Sequence, residues 1–211
     1  MSDIDSILDK TDTGGITYWD ESQEKPNVAM PEGEYPANIV KVDTTTRKIK
    51  GMYKALIYNL TYKLSDVETT EYEAVDYDGN DVKVKNSQFA GREIKGMGIF
   101  KFLQPNGHDD FEANPGGNKA YANFCQVLGS DPKITEIEVE GKTVKVRELP
   151  DISENDVLGM PVKAVIRKGK PWTSNRDGVT RTPLEVKWLR HWDGPKMSAS
   201  DLMSADEDLP F

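Results

Sequence analysis

Residues 117–131 read GNKAYANFCQVLGSD, the one convincing stretch in which apolar residues recur at helical rather than strand spacing. Tyr121, Phe124, Cys125 and Leu128 share one face, as a 3.6-residue repeat requires. Asn118 stands where a side chain can cap the first turn, and Gly129 stands where a left-handed residue closes the last. A lone helix among alternating patterns decides the fold by where it falls in the strand order.

Upstream, EYPANIVKV (34–42) alternates with one mostly buried face, and Pro36 places it near an edge or a start. The polar stretch DTTTRKIKG (43–51) separates it from MYKALIYNLTYKL (52–64), a long strand rich in Tyr, Leu, Ile and Thr. EYEAV and DVKVK flank Asp78-Gly79, a hairpin signal. GMGIFKFLQ (96–104) is a third main strand, whose glycines allow close backbone approach or a bulge. Downstream of the helix, TEIEVEGKTVKVRE (135–148) reads as a second hairpin. GMPVKAVIRKG (159–169) and TPLEVKWLRHW (182–192) are the last main strands, joined by the polar loop KPWTSNRDGVTR.

The expectation is a mainly β protein: five main strands, two hairpin extensions, and one helix between strands three and four. The five-stranded oligonucleotide/oligosaccharide-binding (OB) barrel has this order. Other mixed α+β folds share the strand count. The organisation read from the chain is an acidic arm over 1–33, the OB-type domain over 34–192 and a flexible acidic tail over 193–211.

Charge follows the same division. The net charge is −9, yet residues 1–34 hold −7 and residues 193–211 hold −4, which leaves residues 35–192 at +2. The body is slightly basic and the ends are acidic. No run of about 18 apolar residues is present to cross a membrane as a helix. The start, MSDIDSILDK, lacks the apolar core of a signal peptide. A single cysteine, Cys125, excludes an internal disulfide framework and fits a reducing cytoplasm.

Catalytic material is sparse. His108 and His191 are the only histidines, and neither has zinc-ligand spacing. A polar turn accounts for His108 beside Asp109 and Asp110 better than a metal does. No phosphate-cradling GxxxxGK[ST] loop occurs. The expectation is a protein without enzymatic activity, metal or cofactor.

Basic and aromatic residues, by contrast, cluster repeatedly. Arg47, Lys48, Lys50 and Lys54 surround Tyr53; Arg92, Lys95 and Lys101 lie near Phe100 and Phe102. Arg167, Lys168 and Lys170 precede Trp172, with Arg176 and Arg181 in the same loop, and KWLRHW interleaves Lys187, Trp188, Arg190 and Trp192. Cations that track phosphates, with rings on which any base stacks, are what sequence-tolerant single-strand binding requires. The residues assigned to it are Lys48, Lys50, Tyr53, Lys54, Phe100, Lys101, Arg167, Lys168, Lys170, Trp172, Arg176 and Arg181. Strand alternation favours core packing for Phe102, Trp188 and Tyr58. Trp172 follows Pro171 in a loop without apolar neighbours, which favours a stacking role.

The chain ends ADEDLPF. Asp206, Glu207, Asp208, Leu209, Pro210 and Phe211 resemble the acidic tip of bacterial single-stranded DNA-binding proteins, which ends in acids followed by Ile- or Leu-Pro-Phe. In that family the tip recruits replication, repair and recombination enzymes while an OB domain holds DNA. Those proteins have a compact N-terminal OB domain and a long Gly/Gln-rich linker, whereas here the domain is longer and the linker short. The layout is more similar to phage-encoded single-stranded DNA-binding proteins, and this difference leaves the bacterial tetramer unassigned. The resemblance implies single-stranded DNA as ligand, partner enzymes at the tip and a cytoplasmic setting, the host's if phage-encoded. An adaptor that docks through the tip without touching DNA is the alternative, and nothing in the sequence separates DNA from RNA. Replacing Trp172 with Ala is expected to weaken oligo-dT binding by about 1–3 kcal/mol and to leave the circular dichroism spectrum unchanged. An unfolded variant would place the ring in the core instead.

Overall fold

The computed structural model describes residues 27–49, 53–105, 111–198 and 201–202. The N-terminal arm as far as residue 26, Lys50, the stretch from His108 to Asp110, and the tip Asp206–Phe211 lie outside the described residues.

Strand β1 (Gly33–Ile49) pairs antiparallel with β2 (Tyr53–Leu64) along almost its whole length. DTTTRKI, read above as a polar connection, is the second half of β1, because β-branched threonines suit an extended, half-solvated ribbon. Tyr35, Ala37 and Ile39 are buried, as their alternation requires, and so are Tyr58, Leu60, Tyr62 and Leu64 of β2. The register between them shifts after Ile39, a bulge at which Ile39 exchanges backbone hydrogen bonds with Gly159 and Met160.

The hairpin β3 (Glu71–Val75) and β4 (Asp81–Lys85) folds over this sheet by stacking Tyr72 on Tyr35, with ring centroids 5.0 Å apart. Strands β5 (Glu93–Lys95) and β6 (Ile99–Pro105) pair with successive halves of β2 and together fill one position of the sheet. The break between them is Gly96-Met97-Gly98. A β-carbon at Gly96 would lie 2.6 Å from the Tyr62 ring, and one at Gly98 would lie 2.8 Å from Ile57. The close approach expected of these glycines is therefore real. The short β7 (Phe111–Ala113) extends the edge beyond β6.

Helix α1 (Lys119–Val127) buries Tyr121, Phe124 and Cys125 against the sheet, and Gly129 closes it at φ 78°. Asn118 does not cap it. Its side-chain oxygen accepts the Phe102 N–H at 2.6 Å and its amide donates to the Phe102 carbonyl at 2.9 Å, so the residue joins the helix to β6 instead. The phenols of Tyr58 and Tyr121 donate to the Ile152 and Pro150 carbonyls, and burial pushes both above the usual tyrosine range. They thus stay neutral donors inside the core.

Hairpin β8 (Lys133–Val139) and β9 (Lys142–Glu148) turns at Glu140 and Gly141, both at positive φ. A short helix, α2 (Glu154–Val157), opens with a reciprocal Ser153–Asp156 capping box and leads into β10 (Pro161–Lys168). The connection expected to be a plain polar loop carries a small hairpin, β11 (Trp172–Thr173) with β12 (Thr180–Arg181), before β13 (Leu184–His191).

The sheet order is β13-β10-β1-β2-β6-β7, with β5 beside β2, and all its ladders are antiparallel. It does not close into a barrel. Among the described residues its two sides are joined by one parallel bridge between Gly96 and Val186, where Met97 N–H donates to the Val186 carbonyl at 3.3 Å. Mainly β, with antiparallel sheets and one longer helix between the third and fourth main strands, is the architecture among the described residues.

Residues 193–198, the first part of the segment expected to form a flexible acidic tail, lie along the body. Asn38 donates to the Gly159 and Pro195 carbonyls, and Met197 N–H donates to the Gly159 carbonyl at 3.0 Å. Gly159 sits at φ 79°, and an added β-carbon would stand 2.7 Å from the Met197 oxygen. Gly159→Ala therefore combines left-handed strain with a backbone clash. It is expected to lower stability by about 1–3 kcal/mol in urea unfolding, and an unchanged midpoint would refute this role for the glycine.

Candidate nucleic-acid interface

Strand β6 sets the site by its phase. Ile99 packs on the core, so alternation sends Phe100 and Phe102 to the opposite face. Their rings stack with centroids 5.9 Å apart and planes 19° apart. In register beside them lie Ile57 and Ala55 of β2, which are buried yet outside the core cluster. Thr45 and Arg47 of β1 continue the same two rows. Phe102 was expected in the core; it is half-buried on the outer face, held there by the Asn118 bridge.

Lys101 is the converse case. Sequence reading assigned it to a phosphate, but the strand phase turns it inward, where it is almost fully buried. Its ammonium lies 3.0 Å from Asp151 Oδ1 and 5.2 Å from the centre of the Tyr121 ring. A carboxylate and an aromatic face satisfy it, so this residue is structural in position.

Beyond Phe100 the surface dips into a groove of about 460 Å³ between β6, α1 and β13. Phe100, Phe102, Met97 and Trp188 line it, with Phe124 and Val127 at the helix side. Met97 and Trp188 are more than half exposed. Trp188 too was expected in the core. The ladder between β10 and β13 slips between Val165 and Ile166, pairing Ile166 with Val186 but Val165 with Trp188. One extra residue flips the phase, and the tryptophan leaves the core side that Val186 occupies. Tyr58, also expected in the core, is there.

Cations flank this face at both ends. On the β1–β2 ribbon, Arg47, Ile49 and Tyr53 continue the outer side, whereas Lys48, directly opposite Lys54, lies in the alternate phase with Leu103 and Lys101, so these two lysines reach the face only from the ribbon's end. Like charges facing each other across a ladder destabilise it unless an anion lies between them. The Lys54 ammonium also sits 5.1 Å from the Phe111 ring centre, and Tyr53 is exposed. At the other end, the Arg167 guanidinium lies 5.9 Å from the Trp188 ring centre. Lys168 and Lys170 follow it as exposed residues, and the Lys168 N–H donates to Glu32.

The β11–β12 hairpin then presents Trp172, half exposed, with the Arg181 guanidinium 5.8 Å from its ring centre. Arg181 is held by both oxygens of Asp177, and this pairing draws the Asp177 carboxyl down to about 2. Arg176 is exposed on the turn of the same hairpin. Of the assigned residues, Lys50 and the tip Asp206–Phe211 fall outside the described residues.

Phe102, Met97, Trp188 and the outward row of Arg47 are the additions that the structure makes. A methionine between two glycines was the only local signal for Met97, and none distinguished Trp188 from a core residue. Among the described residues no cluster of three or more His, Cys, Asp or Glu could hold a metal, and no helix is long and apolar enough to cross a membrane. Compared with protein-family models, curated proteins and solved structures, the chain matches none.

The opposed orientations of Lys101 and its neighbours make a sharp contrast. Lys101→Met is expected to leave oligo-dT affinity within about twofold, because Lys101 faces away from the outer surface, and to move the urea midpoint little, because Asp151 is exposed and keeps its hydration while an apolar side chain replaces the buried cation. A tenfold loss of affinity in a folded Lys101→Met protein would overturn this division of roles.

Proposed function

We propose that the chain binds single-stranded DNA without sequence preference, and that it serves DNA replication, recombination or repair. The observation that carries this reading is the outward, stacked pair Phe100 and Phe102 beside an apolar groove, with cations on the β1–β2 ribbon at one end and on the β11–β12 hairpin at the other. Nucleobases stacked on the rings would contribute about 1–3 kcal/mol each, and lysines and arginines at both ends would take the phosphates.

The scaffold in this reading is of the OB type, with its sheet left open between the third and fifth main strands. Three features support it: the helix between the third and fourth main strands, the β13-β10-β1-β2 order, and the Gly96–Val186 bridge that brings the fifth main strand back beside the third. In such a fold oligonucleotides lie across strands two and three, between the loops after strands one and four. Here that face carries Phe100, Phe102 and Arg47, the strand ends at the first loop add Lys48, Tyr53 and Lys54, and the second connection carries Lys168, Lys170, Trp172, Arg176 and Arg181. The acidic tip, Asp206–Phe211, resembles the partner-recruiting end of single-stranded DNA-binding proteins and serves that purpose in this reading. The short linker and long domain favour kinship of layout with the phage-encoded proteins.

Titration of the full chain with oligo-dT, followed by intrinsic tryptophan fluorescence over a salt series, tests the proposal. Quenching with a steep salt slope is expected, and Phe100→Ala should weaken binding by about 1–3 kcal/mol with its fold intact. Absence of single-strand binding at low salt would sink it and favour an adaptor that acts through its tip alone.

A further inference from the structure

We propose that a bound single strand does not end at the β11–β12 hairpin but continues over the outer face of β10 and β13, where Arg167, Trp188, Lys163 and Arg190 provide further stacking and phosphate contacts. This inference rests on the single-strand reading and lengthens its site onto strands four and five of the sheet.

The register defines that outer face. Ala164 pairs with Leu189 and Ile166 with Val186 on the core side, whereas Val165 pairs with Trp188 and Lys163 with Arg190 on the other. A sheet face whose only task is solvation would place opposite charges across the ladder, because like charges directly opposite destabilise it. Here Lys163 meets Arg190. Glu34 neutralises Arg190 at 2.7 Å, while among the described residues Lys163 makes no ion pair.

Arg167 likewise makes no ion pair among the described residues, and its guanidinium donates only to the Ile166 carbonyl at 3.2 Å. Its ladder partner Glu185 is engaged by Lys187 at 2.6 Å, which leaves the guanidinium near the Trp188 ring. An indole with half its surface in water, beside an arginine, offers a base both a stacking surface and a cation. Lys163 and Arg167 lie four residues apart on β10, roughly 13 Å at strand rise, so they form a line rather than a point site. Trp188 also walls the groove beyond Phe100, which makes this line continuous with the face described above. The positive sign of the row selects an anionic chain, and the exposed indole selects one that carries planar rings.

Glu34 is the one acid set against Arg190, and its removal should act in the opposite sense to loss of a cation. The test uses the full chain, oligo-dT and poly-dT. Lys163→Gln is expected to reduce the magnitude of the log affinity–log salt slope by about 0.7, the value of one single-strand phosphate contact. It should also shorten the occluded site by roughly two nucleotides within the 4–16 that one OB fold covers. Glu34→Gln should free Arg190, tighten binding several-fold and steepen the slope. If the unaltered chain binds oligo-dT but neither variant changes slope or site size, the strand does not cross β10 and β13 and the inference is overturned. If the unaltered chain fails to bind, the single-strand reading itself falls and takes this extension with it.

Discussion

A lysine turned into the core governs the arrangement of this protein. Lys101 occupies the inward phase of β6, held by Asp151 and lying near the Tyr121 ring of the helix. Burial of a cation is costly unless it is paired, so this contact ties β6 to the 150–152 segment and to α1 at once. The inward lysine forces its neighbours Phe100 and Phe102 outward, where two large rings form an apolar surface on the wrong side for a core. The Asn118 bridge to both backbone groups of Phe102 holds the same phase from the helix side.

The second constraint is the bulge between β10 and β13. One unpaired residue changes the phase of β13, so that Val186 points inward and Trp188 outward. Together, the phase of β6 and the slip in β13 put aromatic residues on both walls of one groove, with Arg167 beside it. A face of this composition has little structural purpose of its own. Apolar rings in water cost free energy, and the opposed Lys163 and Arg190 on β10–β13 add repulsion. In the proposed function, a nucleic-acid strand, which carries planar rings and negative charge, offsets both costs.

Much of the architecture was legible in the residues. The helix at 119–127, the two hairpins, the glycine close approach at 96–98 and the core phase of Tyr35, Ala37 and Ile39 all follow from local periodicity and turn chemistry. So did the exposure of Trp172, since a loop ring with no apolar neighbours has nothing to pack on. What failed was the choice of face. IFKFLQ reads with equal ease in either phase, and the usual preference for buried phenylalanine and exposed lysine points the wrong way. Trp188 failed because alternation carries no information across a bulge. The capping role of Asn118 failed because a nearby strand edge offered its amide two hydrogen bonds at once.

By itself, the sequence determined a mainly β chain with a basic body, acidic ends, one central helix and a tip whose residues carry their own resemblance. Those properties depend on composition and on short-range periodicity, which do not change with folding. Only the tertiary structure decided which rings face water, which lysine is spent on the core, and that residues 193–198 lie along the body. Each of these depends on partners more than twenty residues distant: Asp151 for Lys101, Val165 for Trp188, and Asn38 for Pro195. No local pattern encodes such pairings, because strand phase and register are set by what packs and pairs across the fold.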